Sequence, residues 1–194
     1  TNEAKWQEEF REVWDANYPG VVTIPAVIFA DSTLLVTEWL SGIPYASLPS
    51  APAEQRDQAA RNLARFTLWS PRVVGAIHAD PHPGNFIIQE DGTLGIIDFG
   101  CVKVIPEDFY EGYFALIKRE LVMNPSELDQ IFYGLDFISD KDTEVEKTYF
   151  KGVFTEMISL LGKPFHVDRF DFADDKYFEQ IFLLGDRISN DKMF

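Results

Sequence analysis

The stretch His78-Ala79-Asp80-Pro81-His82-Pro83-Gly84-Asn85, followed by Ile96-Ile97-Asp98-Phe99-Gly100, decides how this chain is read. It brings two carboxylates, an amide and two imidazoles close together in sequence. Pro81, Pro83 and Gly84 rule out a helix interior, since proline fixes φ and lacks an N–H, so the segment must be a shaped loop. Read as phosphoryl-transfer machinery, Asp80 would orient a hydroxyl or water nucleophile. Asn85 would offer its side-chain oxygen to a divalent metal, and Asp98 would bridge metal and phosphates. Oxygen donors of this kind suit magnesium better than zinc.

The intervening residues support that reading. Asn85-Phe86-Ile87-Ile88-Gln89 and Leu94-Gly95-Ile96-Ile97 are apolar runs separated by Glu90-Asp91-Gly92-Thr93, which reads as a hairpin centred on Asp-Gly. A tight hairpin makes neighbours of its outer ends, here Asn85 and Asp98. Gly100 lets the chain turn sharply after the second carboxylate. His78 is expected to tie loop backbones together rather than take part in chemistry.

The pattern H-x-D-x-H-P-G-N followed by D-F-G resembles the UbiB (AarF-type) family of atypical protein-kinase-like proteins, which is linked to isoprenoid-quinone metabolism. The resemblance runs from about Glu3 to the chain end and is tightest over residues 24 to 106. It implies an α+β, protein-kinase-like fold. Residues 1–40 would be the end of the small lobe, with the end of its αC-type helix, two strands and the hinge. Residues 41–194 would be a mostly helical large lobe holding the catalytic loop at 78–85 and D-F-G at 98–100.

By the same resemblance Thr37 is the gatekeeper, backbone groups of Glu38 and Leu40 face an adenine, and His82 stands where kinases place a phosphate-contacting lysine. Glu3 matches the glutamate that pairs the phosphate-binding lysine, while Trp6 stands where the family often carries asparagine. The implied cofactors are ATP and Mg2+. The implied partners are the nucleotide and a lipid or quinone precursor, or a quinone-biosynthesis assembly. No phosphate-covering loop, V-A-I-K-type lysine or K-x-G-Q segment is found in the chain; these are expected before Thr1. The expectation is therefore a fragment with an incomplete small lobe, binding ATP weakly and turning over little.

With 194 residues, 46% of them hydrophobic, the chain can bury one real core. Its 14% aromatic share argues against disorder. A formal net charge of −15 argues against nucleic acid and against docking on an anionic membrane. No apolar run reaches the roughly 20 residues needed to span a bilayer. This segment is expected to be cytoplasmic, with any membrane association of the full-length protein made through other parts. Cys101, the single cysteine, is expected to be a small buried hydrophobe.

Along the chain, residues 2–17 read as a helix ended by Tyr18-Pro19-Gly20, followed by strands at about 26–30 and 33–39. Pro44 and residues 48–52 read as a linker. A core helix from Ala53 to about Trp69 would carry Ala60, Leu63, Ala64, Phe66 and Leu68. Helices are expected at 107–121, 125–137, 143–161 and 174–188. Phe109, Tyr113, Phe114 and Ile117 read as core, as do Phe178, Ile181, Phe182 and Leu184. The acidic run 168–175 reads as a solvated face and His166 as a surface residue.

Three other readings compete. A small-molecule kinase of the aminoglycoside or choline type shares the loop pattern, but the stretch between Leu40 and Ala79 is short for one. A metallohydrolase would use His78, Asp80 and His82 on zinc, leaving Asn85 and D-F-G unexplained. A nucleotide-binding pseudokinase scaffold would keep the same three oxygen-bearing residues without turnover.

Overall fold

The computed structural model describes residues 1–118 and 123–190. The chain forms two compact units, Thr1–Glu107 and Asp108–Phe194. The lobe boundary expected at residue 40 falls inside the first of them.

In the first unit, helix α1 (Asn2–Asn17) begins at Thr1, whose hydroxyl accepts the Ala4 N–H at 3.1 Å, and ends at Tyr18. Gly20 follows at φ +79°, a left-handed turn that suits glycine. The buried face of α1 is Ala4, Gln7, Phe10 and Trp14, spaced as one helical stripe. Strands β2 (Val27–Ala30) and β3 (Leu35–Thr37) form an antiparallel hairpin. At its turn the Asp31 carboxylate accepts from the backbone N–H of Thr33 and Leu34, which holds this carboxyl below its ordinary range.

Gln7 and Glu8 fasten α1 to the chain before and within this hairpin. Gln7 Nε2 donates to the Pro25 carbonyl at 2.6 Å, and Glu8 Oε1 accepts the Val27 N–H at 2.6 Å. Glu8 is paired with Arg11, and that pair, with the Val27 bond, lowers its pKa.

A four-stranded sheet has the order β1-β7-β6-β4, using β1 (Val22–Thr23), β4 (Ile43–Pro44), β6 (Phe86–Ile88) and β7 (Leu94–Ile96). β1 runs parallel to β7, while the other two pairings are antiparallel. Pro44 therefore belongs to a strand and residues 45–50 to a 3-10 helix, where a linker was expected.

Helix α2 (Ala53–Val73) runs past the expected end at Trp69, with Pro71 in its last turn. It buries Ala59, Asn62, Phe66 and Ser70, whereas Ala60 and Ala64 are exposed. The stripe expected from Ala60 and Ala64 is thus rotated by about one residue, because two of the buried positions are polar. Asn62 has a partner to justify its burial: its Nδ2 donates to the Gly92 carbonyl at 3.2 Å. Gln55 Nε2 likewise donates to the Gln89 carbonyl at 2.8 Å. Both bonds dock the β6–β7 turn on α2. Gly92 sits there at φ +82°, where a Cβ would lie 2.7 Å from Gln58 Cβ. The core of this unit includes Phe10, Trp14, Phe66, Ile88, Leu94, Ile96 and Phe99.

The second unit contains α3 (Glu107–Ala115), α4 (Pro125–Gly134), α5 (Glu144–Gly162) and α6 (Asp175–Asn190). Residues 119–121 of the expected first helix lie outside the described residues. α5 opens with a capping box in which Thr143 and Glu146 bond each other's backbone N–H. One core gathers Leu116, Leu128, Phe132, Leu135, Ile138 and Ile158; a smaller one gathers Leu160, Tyr177 and Leu184.

On α6 the inward stripe is Tyr177, Ile181, Leu184 and Ile188. Phe178 and Phe182, expected in the core, are 50% and 74% exposed, since they lie one residue off that stripe. Tyr113 is also exposed, whereas Phe109 packs on the larger core. His166 is half-buried rather than a free surface residue, with Nε2 lying 2.7 Å from the Ile117 carbonyl. Among the described residues, no helix is long and apolar enough to cross a membrane.

Candidate functional site

The loop from Ala79 to Asn85 is clamped at both ends. Strand β5 (Ala76–His78) pairs antiparallel with β8 (Val102–Val104), and the Ala79 N–H donates to the Cys101 carbonyl at 2.8 Å. This pairing joins the stretch before Asp80 directly to the stretch after D-F-G. Each strand has three residues, too few to show a sequence pattern. At the far end, a single 3-10 turn over Pro83–Asn85 leads into β6.

The hairpin acts as expected. Phe86 stands opposite Ile96 and Ile88 opposite Leu94, and the Ile97 N–H donates to the Asn85 carbonyl at 3.1 Å. Asn85 and the residue before Asp98 are thus bonded neighbours. Within the loop, Asn85 Nδ2 donates to Asp80 Oδ2 at 2.9 Å and to the Asp80 carbonyl at 3.2 Å, while Asp80 Oδ1 accepts the His82 N–H at 3.3 Å. With its amide nitrogen turned to Asp80, Asn85 keeps its side-chain oxygen for another partner. Asp98 Oδ1 accepts the Gly100 N–H at 2.8 Å, which leaves Oδ2 uncommitted. The Cβ-less Gly100 suits this turn, because a Cβ there would lie 3.1 Å from Asp98 Oδ1.

These donors fit magnesium. Mg2+ takes one or two protein oxygens and completes its shell with water and phosphates. The Asn85 amide oxygen and the Asp98 carboxylate are such a pair. Zinc fits less well, since His78 Nε2 is 2.5 Å from the Asp98 carbonyl and His82 Nδ1 accepts the Gly84 N–H at 3.0 Å. Among the described residues, no group of three or more His, Cys, Asp or Glu could hold a metal.

His78 is tied into the backbone and core around Asp98. Its ring makes an edge contact with Phe99 (5.4 Å, 81°) and a tilted one with Phe86 (5.8 Å), while its Nε2 holds the carbonyl of Asp98. Phe99 is fully buried and also packs on Phe10 of α1 at 5.2 Å. Burying such a ring stabilises by about 1.5–3 kcal/mol, so the residue after Asp98 anchors the backbone that carries it. Sequence reasoning missed Phe99 and Asn62 as supports of the site. The signal for Phe99 was its place inside D-F-G; for Asn62 there was none.

The nucleotide-side residues are more loosely defined. Thr37 Oγ1 donates to the Glu38 carbonyl at 3.3 Å. The Glu38 N–H donates to the Ala26 carbonyl at 3.0 Å, so of its backbone groups only the carbonyl can serve an adenine. Leu40 lies on the hairpin: its Cδ1 would be 3.1 Å from a Cβ at Gly95. His82 is exposed, and because its Nδ1 accepts from Gly84, its Nε2 carries the proton and can donate outward. Glu3 sits in the first turn of α1 and has no hydrogen bond or ion pair among the described residues. There the helix macrodipole accounts for a carboxylate. Cys101, expected buried, is exposed.

A loop carboxylate, an amide and a second carboxylate, set on a hairpin and backed by helices, define a protein-kinase-like domain. Comparison with known proteins agrees. The profile of the ABC1 atypical kinase-like domain matches residues 1–131, and the chain belongs to this family, the UbiB/AarF kinases.

A Synechocystis protein of unassigned function, slr0889, is 38% identical over 93 residues, covering 43% of this chain and 23% of that protein. The chloroplastic ACTIVITY OF BC1 COMPLEX KINASE 1 of Arabidopsis thaliana is 28% identical over 157 residues, covering 75% of this chain and 21% of the plant protein. The chain thus spans less than a quarter of the length of either relative. Among solved structures, Mycobacterium tuberculosis Rv3197 in complex with erythromycin superposes with a TM-score of 0.73 at 25% identity, over 92% of this chain and 44% of that one.

Proposed function

We propose that this chain binds magnesium-ATP and directs phosphoryl transfer or ATP hydrolysis. The observation that carries the reading is the Asn85 side chain. Its nitrogen is held by Asp80 and its backbone by the strand leading to Asp98, so its oxygen is left for a metal. Asp80, exposed and held by two donors, would accept the proton or hydrogen bond of the attacking oxygen. Asn85 and Asp98 would hold magnesium, which supplies neutralisation of charge on the phosphates. His82 would donate from Nε2 to a phosphate oxygen, and the Glu38 carbonyl and Leu40 would meet the adenine. Glu3 would pair a phosphate-binding lysine supplied outside this sequence.

Membership in the ABC1 family supports kinase-like activity, and the family resemblance points to a lipid or quinone precursor, or a quinone-biosynthesis assembly, as the partner. The segment itself would lie in the cytoplasm, with membrane contact made elsewhere in the full-length protein.

The test is Asp98→Asn in the full-length protein, followed by ATP binding, ATP hydrolysis and quinone content. Magnesium-dependent ATP affinity should fall about tenfold or more, with hydrolysis lost. Asp80→Asn should keep binding and lower hydrolysis by about 10²–10⁴. A pseudokinase scaffold would show the first effect and no hydrolysis to lose. Unchanged values in all three assays would overturn the site.

A further inference from the structure

Helix α2 carries an exposed basic face that the nucleotide site does not use. Arg61 and Arg65 stand one turn apart on it, and half-buried Leu68 and Trp69, 45% exposed, follow one turn on. The chain has 32 Asp and Glu against 17 Lys and Arg, yet residues 58 to 79 contain no Asp or Glu. Arg61 donates to a neutral group, Gln58 Oε1 at 3.0 Å, and among the described residues neither arginine is in an ion pair. Arginine and tryptophan are the residues on which protein contacts most often rest.

Helix α6 carries the complement. Asp175 and Glu179 are exposed and one turn apart, and Phe182 and Leu183, 74% and 58% exposed, follow one turn on. The two faces share one spacing, with charges at i and i+4 and apolar residues at i+7 and i+8, which a helix sets on one side. Two such helices lying side by side in the same direction bring Arg61 to Asp175 and Arg65 to Glu179, and Leu68 with Trp69 to Phe182 with Leu183. In opposite directions the charges still match, but Leu68 and Trp69 pass beyond Asp175, where α6 begins. Arg72 and Asp186 repeat the pattern at i+11 and are exposed, although each is also engaged in its own chain.

We propose that α2 of one copy of this chain docks in parallel on α6 of a second copy. The two faces differ, so the contact either closes as a reciprocal pair or continues head-to-tail. A guanidinium fits a carboxylate bidentately, and apolar residues beside the pair lower the local dielectric and strengthen it. Contacts of one helix pair are small, which places the affinity in the micromolar range.

The test is sedimentation velocity of the full-length protein without nucleotide, over a range of concentrations. Association at tens of micromolar is expected, severalfold weaker at high salt. Arg61→Glu with Arg65→Glu should raise the Kd about a hundredfold, and Asp175→Arg with Glu179→Arg should do the same, since each sets like charges against each other. Neither double variant should melt much below the parent, because all four side chains are exposed. Mixed together, the two variants should associate as the parent does, and so should a chain carrying all four reversals. A protein that stays monomeric, association indifferent to the reversals, or a mixture that fails to recover it would overturn the contact. Phe182→Ser should weaken the parent's association about tenfold. Indifference to that change would overturn the parallel alignment.

Discussion

The two units hold themselves together differently. Every buried polar residue among the described residues, Gln7, Asn62, Ser70 and Thr93, lies in the first unit. There, side chains reach across the sequence to backbone groups: Gln7 to Pro25, Glu8 to Val27, Asn62 to Gly92, His78 to Asp98. In the second unit the cores are apolar, as in the stacked Phe137–Phe154 pair, and the ion pairs Lys151–Asp129 and Arg187–Glu156 stay partly or largely in water. Apolar contact has no direction, whereas a hydrogen bond fixes one. The first unit has such directed bonds at fully buried side chains; in the second, the half-buried His166 ring makes one to the Ile117 carbonyl.

Two phenylalanines give the sharpest contrast. Phe99 and Phe132 are both fully buried, so either alanine variant should lose about 3–5 kcal/mol in urea unfolding. Below the melting range, only Phe99→Ala should also weaken magnesium-dependent ATP binding, because its ring packs against His78. Equal loss of affinity in Phe132→Ala would break the division between the units.

A smaller effect separates their polar ties. Asn62→Ala strands the Gly92 carbonyl beside a buried helix face and should cost about 1–3 kcal/mol. Lys151→Ala, which removes a partly exposed ion pair, should cost under about 1 kcal/mol. The opposite ranking in denaturant titrations would mean that surface charge, not buried polarity, carries the non-local order.

The smallest effect is expected in acid. The Arg11 bond and the Val27 N–H lower the Glu8 pKa below its ordinary 4.5, and the Thr93 N–H lowers that of Asp91 below 3.8. Both carboxyls are therefore more acidic folded than unfolded. Their contribution is full above those ordinary values and is lost as pH falls below them through the folded pKa. Melting temperature should drop as pH falls below about 4.5. Glu8→Gln should flatten that drop. A Glu8→Gln profile as steep as the parent's would show that these first-unit ties do not govern acid stability.

The hairpin that carries the candidate site was far more legible in the sequence than its supports. Asp91-Gly92 announced the hairpin because a positive φ demands glycine, and the hairpin then made Asn85 and Asp98 neighbours. α1 was readable to the residue, ended by the Tyr18-Pro19-Gly20 stop. The buried face of α2 was not, since Asn62 and Ser70 are polar and hydrophobicity points away from them. The pairing of β5 with β8 and of β1 with β7 was invisible in strands of two or three residues. On α6, Phe178 and Phe182 fit a helical period as well as Tyr177 and Leu184 do, and only packing tells the faces apart.

The parallel pairing of Val22 with Leu94 has a kinetic meaning. β1 precedes its partner in the chain by α2, the Asp80 loop and the β6–β7 turn. Closing so long a loop costs entropy before any contact repays it. Phe10 and Trp14 of α1 likewise meet Phe66, and Phe10 meets Phe99, only across long stretches of chain, so the loop of Asp80 and the core beneath it are completed together.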